Sequence, residues 1–110
     1  MDPSQVLKGL LDTAVLGALR EKRTYGYDLV RELRRLGLSE IADASVYGTL
    51  RRLHRAGFIS SEIVSSETGP PRKYYSLNEA GLTRLDLSRK TWADIVETMN
   101  RILDGQDDGP

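Results

Sequence analysis

The segment SVYGTLRRLHRAGF, Ser45 to Phe58, carries Arg51, Arg52, His54 and Arg55 and not one acid. Guanidinium groups grip phosphates and guanine edges in two-pronged fashion, so the chemistry on offer is recognition of a polyanion. Nothing in the chain equips it for making or breaking bonds. His54 is the sole histidine and cysteine is absent, which leaves no Cys/His metal set and no Cys–His nucleophile. There is no Gly-rich phosphate loop and no Gly-x-Ser-x-Gly elbow, and the carboxylates are scattered over helix surfaces and caps. The chain reads as a binding protein and not an enzyme, with no cofactor and no metal.

The formal net charge of zero over 110 residues conceals this block. Residues 44–73 hold Arg51, Arg52, Arg55, Arg72 and Lys73 against Glu62 and Glu67, a net of +3, and residues 74–110 carry the balancing −3. A local positive block in a neutral chain points to a local anionic partner. The apolar fraction of 39% and charged fraction of 29% describe one soluble globular domain with a modest core. No run of about 18 apolar residues could span a membrane. The N-terminal stretch lacks the basic-then-apolar layout of a signal peptide. The expected location is cytoplasmic.

The basic segment needs a scaffold, and periodicity supplies one. Apolar residues recur at helical spacing from Val6 to Arg20. A second helix is expected over about Tyr25–Leu36, with Leu29, Val30, Leu33 and Leu36 inward, Thr24 as N-cap and Gly37 past its end. A third helix is expected from an Asp43 cap to Gly57. Two β-rich stretches, FISSEIVSSE and RKYYSL, flank the turn cluster TGPP and predict a hairpin. Asn78 then caps a long helix to about Leu103. The fold class is therefore mainly α with a small β-hairpin. The chain divides into residues 1–77, carrying the basic segment, and a long C-terminal helix over 78–104, with 105–110 expected to be a disordered tail.

On the third helix, Val46, Leu50, Leu53 and Gly57 fall within about 60° of one another, while Arg51, Arg55 and Arg52 lie about 140–240° from Val46. The arginines face away from the core. Ser45 and Tyr47 flank the apolar stripe, and Gly48 keeps the outer face flat. Such a helix, third after two others, makes a helix-turn-helix whose first turns meet base edges in the major groove. Ser45, Tyr47 and Gly48 are then the base-reading candidates, with Arg51, Arg52 and Arg55 on phosphate or guanine. The plainer reading of those arginines is a solvated basic stripe. The hairpin favours recognition. Arg72 and Lys73 beside Pro70-Pro71 make a stiff basic wing for a flanking groove or backbone. Tyr74 and Tyr75 alternate on a strand, one toward the core. Tyr27 is expected in the core, with Tyr25 a candidate phosphate contact, and His54 a boundary residue at the edge of the apolar stripe.

The blocks LKGLLDTAVLGAL, YGYDL, SVYGTLRRLHRAGFI and GPPRKYYSLNEAGLTRL resemble the PadR family of bacterial transcriptional regulators, in order and spacing, over about Leu7 to Leu85. The resemblance implies a winged helix with a C-terminal dimerisation helix, and a repressor that leaves DNA when an effector binds. It places Tyr47 as the tyrosine of the recognition helix, Arg51 and Arg52 as its basic pair, and GPPRKYY as the wing. Three positions depart from the family pattern: Gly48 where proline is usual, Tyr25 where histidine is frequent, and His54 where an acid is common.

Along the last helix Leu85, Ser88, Trp92, Ile95, Met99 and Ile102 recur at alternating spacings of three and four, a heptad seam that predicts a homodimer. Trp92 either fills the dimer core or, with Ser88, Ile95, Met99 and Leu85, walls a pocket for a small aromatic effector. The expected function is that of a sequence-specific transcriptional regulator. It would act as a homodimeric repressor on double-stranded DNA bearing an inverted repeat. The alternative is a winged-helix protein-interaction module, which would more often show an apolar or mixed face where this chain is basic.

Overall fold

Apolar side chains on three short helices, one strand pair and the root of a long helix converge on one core in the computed structural model, which describes residues 10–105. The elements are α1 (Leu11–Leu19), β1 (Thr24–Tyr25), α2 (Gly26–Arg35), α3 (Asp43–Arg55), β2 (Ile59–Val64), β3 (Arg72–Leu77) and α4 (Glu79–Asp104). Val15, Leu16, Leu19, Leu29, Val46, Leu50 and Leu85 are fully buried. Val15, Leu19, Leu29, Val46 and Leu50 are residues that helical periodicity assigns to inner faces, whereas Leu16 and Leu85 are drawn into the core by the packing of the helices against one another.

Both helices of the helix-turn-helix end in the same way. Gly37 and Gly57 stand just past α2 and α3 at φ 134° and 86°. At the first, Leu38 N–H donates to the Leu33 carbonyl and Gly37 N–H to that of Arg34; at the second, Phe58 N–H donates to Leu53 and Gly57 N–H to His54. These are paired Schellman closures, which turn the chain sharply and satisfy carbonyls at the helix end. Asn78 caps α4 as its sequence position predicts, its side-chain oxygen accepting from Gly81 N–H at 2.8 Å. The matching NH2 group donates to the Gly57 carbonyl at 2.9 Å, which ties the start of α4 to the end of α3.

The sheet has three strands in the order β1-β3-β2, all antiparallel. The hairpin pairs Ile59 with Leu77 through to Val64 with Arg72, and Thr24 and Tyr25 pair with Tyr75 and Tyr74. That third strand is too short to leave a period-two signal, and it corrects the assignment of Thr24 as a helix cap. Tyr25 is the N-cap of α2 and makes no side-chain cap bond. Ala42, not Asp43, caps α3. Among the described residues the first helix covers Leu11–Leu19, with Leu10 and Arg20 at its ends; the expected residues 6–9 of that helix and 106–110 of the expected tail lie outside the described residues. Leu36 and Tyr27 are 63% and 53% exposed, not inward, because α2 turns only its Leu29–Val30–Leu33 side to α1 and α3.

The root of α4 is part of the core. A Cβ on Gly81 would lie 2.0 Å from the Phe58 carbonyl oxygen, so only glycine permits this close approach of α4 to the start of β2. Leu85 is 1% exposed and reaches Gly17 of α1. Beyond Ser88 the helix runs out into solvent, giving extents of 66 × 30 × 21 Å.

Candidate DNA-binding face

The third helix presents its arginines as helical geometry requires. Val46, Leu50 and Leu53 are buried, and Ser45, Arg51, Arg52 and Arg55 are exposed. Thr49 is also buried, and its hydroxyl donates to the Ser45 carbonyl at 2.9 Å, so the polar group on the inner face is satisfied within the helix. Gly48 is half-buried, and a Cβ there would meet only the Arg51 guanidinium at 3.8 Å. The outer surface of the first two turns is accordingly low and open.

Tyr47 sits deeper than the flank of an exposed face. It packs against the core, and its ring occupies the place a side chain at residue 26 would need: a Cβ on Gly26 would stand 2.7 Å from the Tyr47 ring. Burial, and then the charges of Tyr25, Asp43 and Tyr75, push its phenol above the ordinary tyrosine range. Tyr47 therefore joins α3 to the start of α2, its ring edge and hydroxyl both lying against the Gly26 position. The glycine of YGYDL is the sequence signal for this contact.

The basic residues divide into two groups. Arg52 is held by Asp12 of α1. Among the described residues Arg51, Arg55, Arg72 and Lys73 have no carboxylate partner. Arg72 and Lys73 lie on β3 and not on the tip of the turn, and alternation sends them to opposite faces. The Arg72 guanidinium stacks 4.8 Å from the centre of the Tyr25 ring, while the Lys73 ammonium lies 5.9 Å from that of Tyr75. Tyr75 is buried and Tyr74 half-buried, as their alternation predicts. Tyr25 stands between Tyr74 at 6.0 Å and Tyr27 at 6.3 Å. Arg23 covers Tyr74 and Arg31 covers Tyr27. This ladder of arginines and tyrosines joins the start of α2 to the wing. Periodicity did not reveal it, since it depends on β1 pairing with β3. His54 is exposed and meets the Ser61 hydroxyl of β2 at 3.3 Å.

Of the residues proposed for a dimer core or effector pocket, Leu85 is withdrawn into the intrachain core, which corrects its place on the seam. Trp92, Ile95 and Met99 are 46%, 47% and 43% exposed and Ser88 is half-buried. Leu10 and Thr13 of the chain before and within α1 approach Arg84, Leu87, Ser88, Thr91, Trp92 and Ile95 of α4 around a groove of about 420 Å3. No group of His, Cys, Asp and Glu among the described residues could hold a metal ion, and no helix among them is long and apolar enough to cross a membrane.

Residues 15–87 match the model of the transcriptional regulator PadR-like family. A PadR-like transcriptional regulator from Bacillus cereus is 31% identical and superposes with a TM-score of 0.82 over 93% of this chain and 99% of its own. A Streptococcus transcriptional regulator is 35% identical, with a TM-score of 0.79 over 89% and 96%. Bacillus subtilis PadR, solved in complex with operator DNA, is 29% identical with a TM-score of 0.64, over 70% of this chain and 44% of its own.

Proposed function

The chain belongs to the PadR-like family of transcriptional regulators, and from that premise we propose that it is a sequence-specific DNA-binding repressor, working as a homodimer that a small effector releases from an inverted repeat. The observation that carries the reading is the outer face of α3. Among the described residues Arg51 and Arg55 have no carboxylate partner there, beside the open surface at Ser45 and Gly48. Unneutralised guanidinium groups on a helix narrow enough for the major groove are placed to meet phosphates and guanine edges. The operator complex of Bacillus subtilis PadR supports DNA as the partner. A protein-interaction module fits less well, because a basic face offers little apolar area to bury.

The homodimer rests on the apolar face of α4. Trp92, Ile95, Met99 and Ile102 stand exposed at heptad spacing, and a second copy of the helix would cover them. The effector rests on the groove of about 420 Å3 beside Trp92, a volume within the range of small-molecule sites. Stacking of a planar ligand on the indole would bias the dimer toward a spacing that no longer fits the operator. The experiment is selection of bound duplexes from a random pool by the full chain. An inverted repeat with half-sites one helical turn apart is the expected result. Recovery of no preferred sequence would defeat the proposal.

A further inference from the structure

The first turn of α3 enters the proposed DNA face with an acid on it. Asp43 is the opening residue of that helix, and its side chain is 62% exposed. A carboxylate there favours the helix dipole but opposes any phosphate brought to the same surface. Asp43 is not used as a cap. Arg34 of α2 holds it instead, through an Nη2 donation to Oδ1 at 2.6 Å. The same guanidinium donates from Nε and Nη2 to the Ile41 carbonyl at 3.2 and 2.8 Å. One side chain thus spans the whole turn of the helix-turn-helix, from the last turn of α2 to the residue that opens α3.

That turn occupies residues 36–42, longer than the roughly three to four residues usual in this motif. A longer turn leaves the angle of the following helix less constrained. Inside it, Ile41 is buried and its N–H donates to the Leu38 carbonyl. The Ala42 carbonyl between them is taken by the helix's own Ser45 and Val46 N–H groups, and Arg34 takes the Ile41 carbonyl before it and the Asp43 carboxylate after it.

We propose that Arg34 is a positioning residue for DNA reading: it fixes the angle at which α3 leaves the turn and cancels the charge that Asp43 would otherwise present to the phosphates. The inference rests on the DNA-binding reading above. Lysine at position 34 would keep the charge but cannot bond both acceptors in the planar fork of arginine. Asparagine at position 43 would keep an acceptor for Arg34 and remove the charge.

The test compares binding of the full-length protein to a duplex selected from the random pool and to a random-sequence duplex of equal length. Arg34→Lys should retain affinity for random sequence and lose preference for the selected duplex by roughly tenfold, the scale of one misplaced base contact. Arg34→Met should lose affinity for both, and more for the selected duplex. Asp43→Asn should keep its preference and bind both duplexes at least as tightly as the wild type. Thermal midpoints measured alongside report whether each variant folds; if Arg34→Met does not, Arg34→Lys and Asp43→Asn decide the matter. A folded Arg34→Lys with wild-type preference would overturn the inference while leaving DNA binding intact. A wild-type protein with no preference would overturn the DNA-binding reading and this inference with it.

Discussion

Gly26 and Tyr47 set how α3 packs on the start of α2, and so the geometry of the proposed reading face. The tyrosine ring fills the space where any larger residue at 26 would project, at 2.7 Å from its Cβ. Gly26→Ala should cost about 1–3 kcal/mol through overpacking and lower the thermal midpoint by several degrees. It should also reduce preference for the selected duplex, because relief comes from moving Tyr47 on α3. Tyr47→Leu in the same background removes the clash and should recover stability without recovering preference. Differential scanning calorimetry with band shifts on both duplexes checks the pair. The arginines allow a sharper division. Each phosphate neutralised adds roughly 0.9 to the slope of log K against log salt. Arg51→Gln and Arg55→Gln should each flatten that slope by about this amount. Arg52→Gln should change it little, since Asp12 already engages the guanidinium. A slope unaffected at all three positions would remove this face from the interface.

In the proposed dimer the long helix α4 serves two neighbours, and its residues sort by position along it. The first turns belong to the DNA-binding core. Gly81 lies against the Phe58 backbone and Leu85 is buried. Leu85→Ala should therefore cost about 2–5 kcal/mol of folding stability through the cavity it leaves. The outer turns carry Met99 and Ile102 on an exposed face. Ile102→Ala should leave the fold of residues 10–88 intact and weaken self-association alone. Analytical ultracentrifugation and thermal unfolding, run on both variants over a range of concentrations, separate the two effects. A concentration-independent midpoint for the wild type would argue against a dimer formed through this helix.

The extended shape, 66 Å along its longest axis, matters once two copies are paired through α4. A two-fold dimer should set its recognition helices about 34–36 Å apart, or a multiple of this, to meet successive major grooves on one side of the duplex. Truncation before Lys90 should abolish dimerisation and cooperative binding. Trp92 is the only tryptophan, so intrinsic fluorescence reports on the groove beside it. Quenching by planar aromatic compounds that tracks release of DNA is the expected signature of an effector site. Unchanged fluorescence across such a panel would assign Trp92 to packing alone.

Periodic patterns and end signals sufficed for the order of helices, the hairpin, the Asn78 cap, the glycine stops at 37 and 57, and the outward arginines of α3. Each depends on neighbours within about one turn or one strand, where the spacing of side chains translates directly into a face. The motif blocks carried the family. What local spacing could not reveal depends on partners far apart in the chain. Arg52 meets Asp12, and Arg34 reaches across the turn to Ile41 and Asp43. Tyr47 settles over Gly26, and Tyr25 enters a strand because β3 is there to pair with it. Leu85 fitted the heptad seam as well as Trp92 did, since both recur at the same period. Only the packing of α4 against α1 divides them, because a periodicity gives the direction of a side chain and not what stands opposite it.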